Sequence, residues 1–157
     1  MQRLLRALAR GFMRVSFPQV RQLSGADLAA WLTDPNRPAP VLLDVRQVEE
    51  FEVSHLAGAK RVDFGSLAEE ALTGEPSERP IVCYCAAGFW SSVMAKRLQR
   101  AGPQEVFNLE GAIFDWAAEG RPLVRGDGAA REVHPFNWLG RQMLPPEVRA
   151  EVGALRH

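Results

Sequence analysis

The sequence predicts an α/β fold: an open, mainly parallel five-stranded sheet with helices on both faces. Three observations carry this. Val41–Val45, Ile81–Tyr84 and Val106–Leu109 are apolar runs, interrupted only by Asp44 and Asn108, rather than alternating ones, as strands buried on both faces require. Helical patterns and Gly/Pro punctuation separate these runs, giving strand–helix alternation along the chain. The side chains richest in chemistry, Asp44, Arg46 and Cys85, fall at the carboxyl ends of two strands, where open parallel sheets bind ligands.

In order, the chain begins with a basic segment, residues 1–19, that has helical periodicity. Arg3, Arg6, Arg10 and Arg14 fall near one face, and Leu4, Leu5, Leu8, Phe12 and Val15 on another. No acidic residue precedes Asp27. The expectation is a helix packing its apolar face on its own domain or on a partner. The alternatives are an interfacial membrane helix and a mitochondrial-type transit peptide. No apolar run is long enough to span a bilayer, so the chain reads as soluble and cytoplasmic, with matrix or peripheral membrane location as the alternatives.

The body of the chain runs from residue 20 to 124. Gln22-Leu23 suits a short edge strand. Ser24 caps a helix that has Asp27 in the capping-box position and buries Leu28, Trp31 and Leu32. Asp34-Pro35-Asn36-Arg37-Pro38 forms a turn. After the 41–45 strand, Arg46 emerges, and Val48–Val53 makes a second helix. Ser54-His55-Leu56-Ala57-Gly58-Ala59 turns into a short strand near Arg61–Phe64, followed by a helix over Ser66–Leu72 and a polar loop to Pro80. The 81–84 strand then meets the loop Cys85-Ala86-Ala87-Gly88-Phe89-Trp90. A helix over Ser91–Ala101 follows, with Ser91 and Ser92 as caps and Gly102 as a left-handed C-terminal cap. Gly111 opens the last core helix, with Trp116 inward and Gly120 as its stop. In the 125–157 extension, Gly126-Asp127-Gly128 is a flexible turn, and Phe136, Trp138 and Leu139 are expected to anchor on the domain. Pro145-Pro146-Glu147 starts a short helix bearing Leu144, Val148, Val152 and Leu155.

A strand feeding a tight loop feeding a helix aims backbone N–H groups and the helix dipole at one point. A thiol at the head of that loop has its thiolate favoured, which makes Cys85 the candidate nucleophile. Cys83, inside the apolar strand, reads as buried. A resolving thiol is its alternative role, and a redox protein using Cys83 and Cys85 the corresponding function. Arg46 is either an anion-binding residue at the rim or a partner of Asp44 or Glu50. Asp44 reads as an anchor for loop backbone and His55 as structural. Ser91 is placed to donate to the Cys85 sulfur. Phe89 and Trp90 form an apolar lip or fold back onto the domain. Composition is permissive: a chain of 157 residues with 46% hydrophobic content and zero formal charge supplies no argument for nucleic acid. Two cysteines are too few for a structural zinc site or a disulfide framework, so no metal or cofactor is expected.

Three stretches together resemble the rhodanese-like sulfurtransferases. They are Leu43-Asp44-Val45-Arg46 with Glu50-Phe51 and Ser54–Ala59; the Val82–Ser92 loop; and Asn108-Leu109-Glu110-Gly111-Ala112 with Trp116. The resemblance covers about Val20 to Val124. It implies that Cys85 carries a sulfane sulfur as a persulfide, within a substrate loop of Ala86, Ala87, Gly88, Phe89, Trp90 and Ser91, with Arg46 alongside. The donor would be thiosulfate or an organic or protein persulfide. The acceptor would be a thiol, cyanide or a protein. A non-catalytic binding module of the same fold is the rival. Sulfurtransferase members have a six-residue loop from the cysteine; phosphatase relatives have one residue more and end in arginine. The position of that arginine holds Ser91 here, which argues against phosphatase chemistry. Basic residues frequent in the family just after the cysteine and at the loop's end are Ala86 and Trp90 here, so recognition of a small dianion is expected to be weak.

Overall fold

The protein is described by a computed structural model covering residues 1–76, 78–102 and 105–153, with the side chains of 68 and 69 left aside. Five strands form one sheet in the order β1-β5-β4-β2-β3: β1 (Arg21–Leu23), β2 (Val41–Asp44), β3 (Lys60–Arg61), β4 (Ile81–Tyr84) and β5 (Val106–Leu109). Every neighbouring pair is parallel. The central strands β2, β4 and β5 are buried at each residue, which explains why they are apolar apart from Asp44 and Asn108 rather than alternating. The chain crosses over through α2 (Gly25–Thr33), α3 (Val48–Val53), α4 (Ala68–Ala71) and α5 (Phe89–Ala101). After β5 comes α6 (Ala112–Ala118). The sheet divides two apolar clusters. One is built on Leu28, Trp31, Phe114 and Trp116, the other on Leu43, Cys83, Met94 and Leu98.

Local signals explain most boundaries. Ser24 Oγ accepts the Asp27 N–H at 3.0 Å, capping α2 as its sequence requires. At the β5–α6 junction Gly111 and Ala112 both take positive φ, 71° and 50°. A Cβ on Gly111 would lie 2.0 Å from Asp115 Oδ2, so glycine is required there by both conformation and space. Within the sheet and its crossovers several boundaries differ from the sequence reading, α5 for one beginning at Phe89 rather than Ser91. β3 is the two residues Lys60–Arg61 rather than 61–64, because after Arg61 the only pairing left is the Val62 N–H to the Asp44 carbonyl. The helix expected over 66–72 shrinks to Ala68–Ala71. Gly102 is extended, with φ of −169°, and supplies no left-handed cap.

The extension folds as a hairpin, β6 (Leu123–Arg125) with β7 (Gly128–Ala130), then α7 (Trp138–Met143) and a 3-10 turn over Pro146–Val148. The expected anchor is misplaced. Trp138 and Leu139 are exposed, and Val133, Met143 and Leu144 are the side chains that dock. The helix expected from Pro145 is only that 3-10 turn; its Leu144 is buried, while Leu155 lies outside the described residues.

The first helix, α1 (Gln2–Ser16), corrects the reading most. It does not pack its apolar face. Arg6 is buried: its Nε donates to Asp115 Oδ1 at 2.6 Å and its Nη1 to the Met143 carbonyl at 2.7 Å. Arg10 also pairs with Asp115, and Arg14 with Glu110. Leu5, Ala9 and Met13 complete the inner face, while Leu4, Leu8, Phe12 and Val15 stay exposed. Two acceptors from the β5–α6 corner thus choose the face, and the arginine stems cover apolar surface on the way. Asp115→Ala would leave Arg6 buried without its counter-charge and is expected to cost about 3 kcal/mol in urea unfolding. Glu110→Ala, opposite the solvent-exposed Arg14, is expected to cost far less.

Candidate functional site

The site forms where β4 ends. Cys85 heads the loop to α5, and the loop is turned by Gly88, whose φ of 114° closes it before the helix begins at Phe89. A Cβ on Gly88 would also sit 3.5 Å from Met13 Cγ and 3.7 Å from Asn108 Nδ2, so α1 and β5 back the loop directly. The loop's carbonyls are held from behind: Ile113 N–H donates to the Cys85 carbonyl and Phe114 N–H to the Ala86 carbonyl, each at 3.2 Å. With those carbonyls tied to the start of α6, the Gly88 N–H turns to the sulfur and donates to Cys85 Sγ at 3.1 Å. The first-turn N–H groups of α5 lack intrahelical acceptors and add a field that favours negative charge.

Ser91 and Ser92 are inside α5 rather than at its cap. Ser92 Oγ donates to the Gly88 carbonyl at 2.6 Å, bracing the loop. Ser91 Oγ lies 3.3 Å from Cys85 Sγ and 2.6 Å from Asn108 Oδ1. Asn108 Nδ2 in turn donates to Gln22 Oε1 at 2.8 Å. A serine hydroxyl has one proton, so Ser91 donates either to the sulfur or to Asn108. This buried chain joins α5, β5 and β1 behind the nucleophile. The sequence reading placed Ser91 near the sulfur but missed Asn108 and Gln22. Asn108 is the one polar residue in an otherwise apolar buried strand, and that was the available signal.

Cys85 is only 4% exposed and lies in the wall of a cleft of about 330 Å³. Ala86, Ala87, Phe89 and Trp90 continue the wall from the loop, and Phe64, Phe136, Glu50 and Arg46 face them. The aromatics form a lip: Trp90 packs edge-on against Phe64 and Phe89, with centroids 4.6 and 5.0 Å apart. Trp90 is still 46% exposed, so it both touches its neighbours and presents an indole to solvent.

Arg46 sits in this wall but is not a free cation. It is 3% exposed, its Nε and Nη2 bind Asp44 at 2.6–3.1 Å, and Nη2 also donates to the Ser54 carbonyl at 2.7 Å. Burial works against the guanidinium charge, and the Asp44 carboxylate more than offsets it, so its pKa lies above the usual arginine value. Arg46 is thus the partner of Asp44, and its Nη1, in a residue of the cleft wall, is left without a partner among the described residues. Asp44 also accepts the Arg46 N–H at 3.0 Å, the anchoring role expected of it. Glu50 is buried beside this pair, with one oxygen accepting the Gln47 N–H at 3.1 Å. Burial pushes its carboxyl up, against the opposing pull of Arg46. His55 Nδ1 faces the Phe51 carbonyl at 2.9 Å and its ring stacks on Phe51, a structural position.

Both cysteines are free thiols. Cys83 is wholly buried, and burial, reinforced by the neighbouring Cys85, pushes its thiol far up. Disulfide exchange runs through the thiolate, the form that this burial disfavours.

Comparison with known proteins identifies the family and the fold. A family model described as a Rhodanese-like domain matches residues 24–119. The thiosulfate sulfurtransferase GlpE of Coxiella burnetii is 32% identical over 91 residues, which cover 58% of this chain and 83% of GlpE. The probable adenylyltransferase/sulfurtransferase MoeZ of Mycobacterium tuberculosis is 30% identical over 97 residues, which are 61% of this chain but only 24% of MoeZ. Among solved structures, a rhodanese-related protein from Thermoplasma volcanium superposes with a TM-score of 0.58 at 26% identity, covering 66% of this chain and 97% of its own. A thiosulfate sulfurtransferase from Pseudomonas aeruginosa shares the fold with a TM-score of 0.64 at 22% identity, over 78% of this chain and 23% of its own.

In the folded protein at pH 7–8, iodoacetamide is expected to modify Cys85 and spare Cys83, as read by peptide mass mapping. Ser91→Ala, which removes the hydroxyl lying between the Cys85 sulfur and Asn108, is expected to slow that modification about tenfold. Equal labelling of both thiols would contradict the environments described.

Proposed function

The chain belongs to the rhodanese-like domain family, and on that footing we propose that it is a sulfurtransferase in which Cys85 carries the sulfur. One observation supports this above the others: Cys85 Sγ lies in the cleft wall, accepting the Gly88 N–H and within reach of the Ser91 hydroxyl, at the N-terminal end of α5. Backbone donors held by their own framework stabilise a sulfur anion without reorganising, and they serve thiolate and persulfide alike.

In the first half-reaction the Cys85 thiolate attacks the outer sulfur of the donor. The donor's S–S bond breaks, its electron pair leaves with sulfite or a thiolate, and Cys85 becomes a persulfide. In the second, an acceptor thiolate or cyanide attacks the terminal sulfur. The Cys85 S–S bond breaks, and the Cys85 thiolate returns as leaving group to the same donors.

The donor class follows from the lining. The cleft is walled by Phe64, Phe89, Trp90 and Phe136, its one guanidinium is paired with Asp44 through Nε and Nη2 with only Nη1 left over, and Glu50 adds a carboxyl group. A compact dianion finds little charge-assisted hydrogen bonding there. An organic persulfide, bare or carried on a protein, places carbon against the aromatic lip, which is the better match.

Intact mass after incubation with a sulfur donor is expected to rise by one sulfur atom and to revert on addition of cyanide or thiol. Cys85→Ser is expected to abolish the gain, and Cys83→Ser to preserve it. A wild-type chain that gains no sulfur from thiosulfate or from an organic persulfide would leave a binding module in place of the enzyme.

Trp90→Arg tests the donor class. A cation at the lip is expected to raise kcat/KM for thiosulfate about tenfold, with the gain shrinking as salt rises. Transfer from a bulky organic persulfide is expected to hold steady or fall.

A further inference from the structure

The first helix carries an apolar row that its own domain does not use. Leu4, Leu8, Phe12 and Val15 recur along one face and are 56–82% exposed. Docking is accomplished by the opposite face, through Leu5, Arg6, Ala9 and Met13. An apolar row of this length on an otherwise folded surface marks a contact site.

The border of the row indicates what occupies it. Arg3, Arg10 and Arg14 follow one another at seven- and four-residue intervals, a single line along the helix, separated from the apolar row by the small exposed Ala7 and Gly11. The helix has four arginines and no acidic residue, and the described ion pairs set only two carboxylates, Asp115 and Glu110, against them. A surplus of positive charge remains beside the row. Arg3 is exposed and has no ion pair among the described residues.

We propose that α1 lies in the surface of an anionic lipid bilayer, with Leu4, Leu8, Phe12 and Val15 sunk below the headgroups and Arg3 and Arg14 at the level of the phosphates. Apolar insertion flanked by arginine is the pattern that binds such a surface. The mode is in-plane: at 15 residues the helix is about 22 Å long, and no described helix is long and apolar enough to cross a membrane. A second copy fits less well. Antiparallel two-fold pairing of the rows brings the two arginine lines together. Parallel pairing sets each line against the Gln2, Leu5 and Ala9 side, and in neither case does α1 offer a carboxylate.

The test is co-sedimentation of the full chain with vesicles of phosphatidylcholine alone and with one part in three phosphatidylglycerol, at low and high salt. At low salt, affinity for the anionic vesicles is expected to be at least tenfold above that for the neutral ones, and to fall at high salt. Leu8→Ser with Phe12→Ser is expected to lower it at least tenfold, with an unchanged melting temperature because both side chains are exposed. Arg3→Glu is expected to weaken binding to anionic vesicles only. Three results would overturn the proposal. One is no binding to anionic vesicles; another is binding indifferent to Leu8→Ser with Phe12→Ser. The third is a concentration-dependent dimer that those substitutions dissolve while vesicles stay unbound, which would assign the row to a second copy.

Discussion

Two backbone hydrogen bonds govern what this site can do: Ile113 N–H to the Cys85 carbonyl and Phe114 N–H to the Ala86 carbonyl. A loop that must present N–H groups to its own sulfur has to send its carbonyls elsewhere, and buried carbonyls need partners. The start of α6 supplies them, because β5 lies beside β4 and the β5–α6 corner is folded tightly at Gly111 and Ala112. The nucleophile's environment is therefore made by parallel strand pairing and a tight turn. Among the described side chains, Ser91 adds to it at the sulfur and Ser92 through the Gly88 carbonyl.

The same corner organises the first helix. Asp115 fills the space that a side chain at position 111 would take, and from there it holds Arg6 and Arg10. Met13, brought in on the same face, lies against the back of Gly88, and Phe17, just past the helix end, packs edge-on to Phe89 at 5.5 Å. Helix, corner and loop form one connected unit, so the placement of α1 bears on the rigidity of the sulfur cradle as well as on the outer surface.

Charge and apolarity are divided unusually around the cleft. Arg46 is a fixed element of the wall because a bidentate pair with Asp44, inside a buried strand end, costs less than leaving either group alone. The lip is aromatic, and the surrounding titratable group, Glu50, has its neutral form favoured by burial. Such a wall suits a ligand with carbon on it, and the persulfide chemistry proposed for Cys85 asks no cation of the side chains because the backbone serves the anion.

The sequence by itself determined the parallel sheet, its order of elements and the thiol on which the site centres. Each of these is written in local pattern: runs too apolar for a half-exposed strand, a Cys at the head of a small-residue loop, and a Gly111 at the start of the last core helix. The edge of Arg46's role was legible too, as a choice between rim and Asp44; the choice itself depended on the burial of both partners. Asn108 escaped because a lone polar residue in a strand does not announce what it will face across 17 residues of chain. The tertiary structure alone decided which side of α1 turns inward. Periodicity fixes that a helix has two faces, whereas the inward one is selected by the surface it meets. Here that surface offers Asp115 and Glu110, about a hundred residues away, and two carboxylates at a buried corner draw arginine rather than leucine.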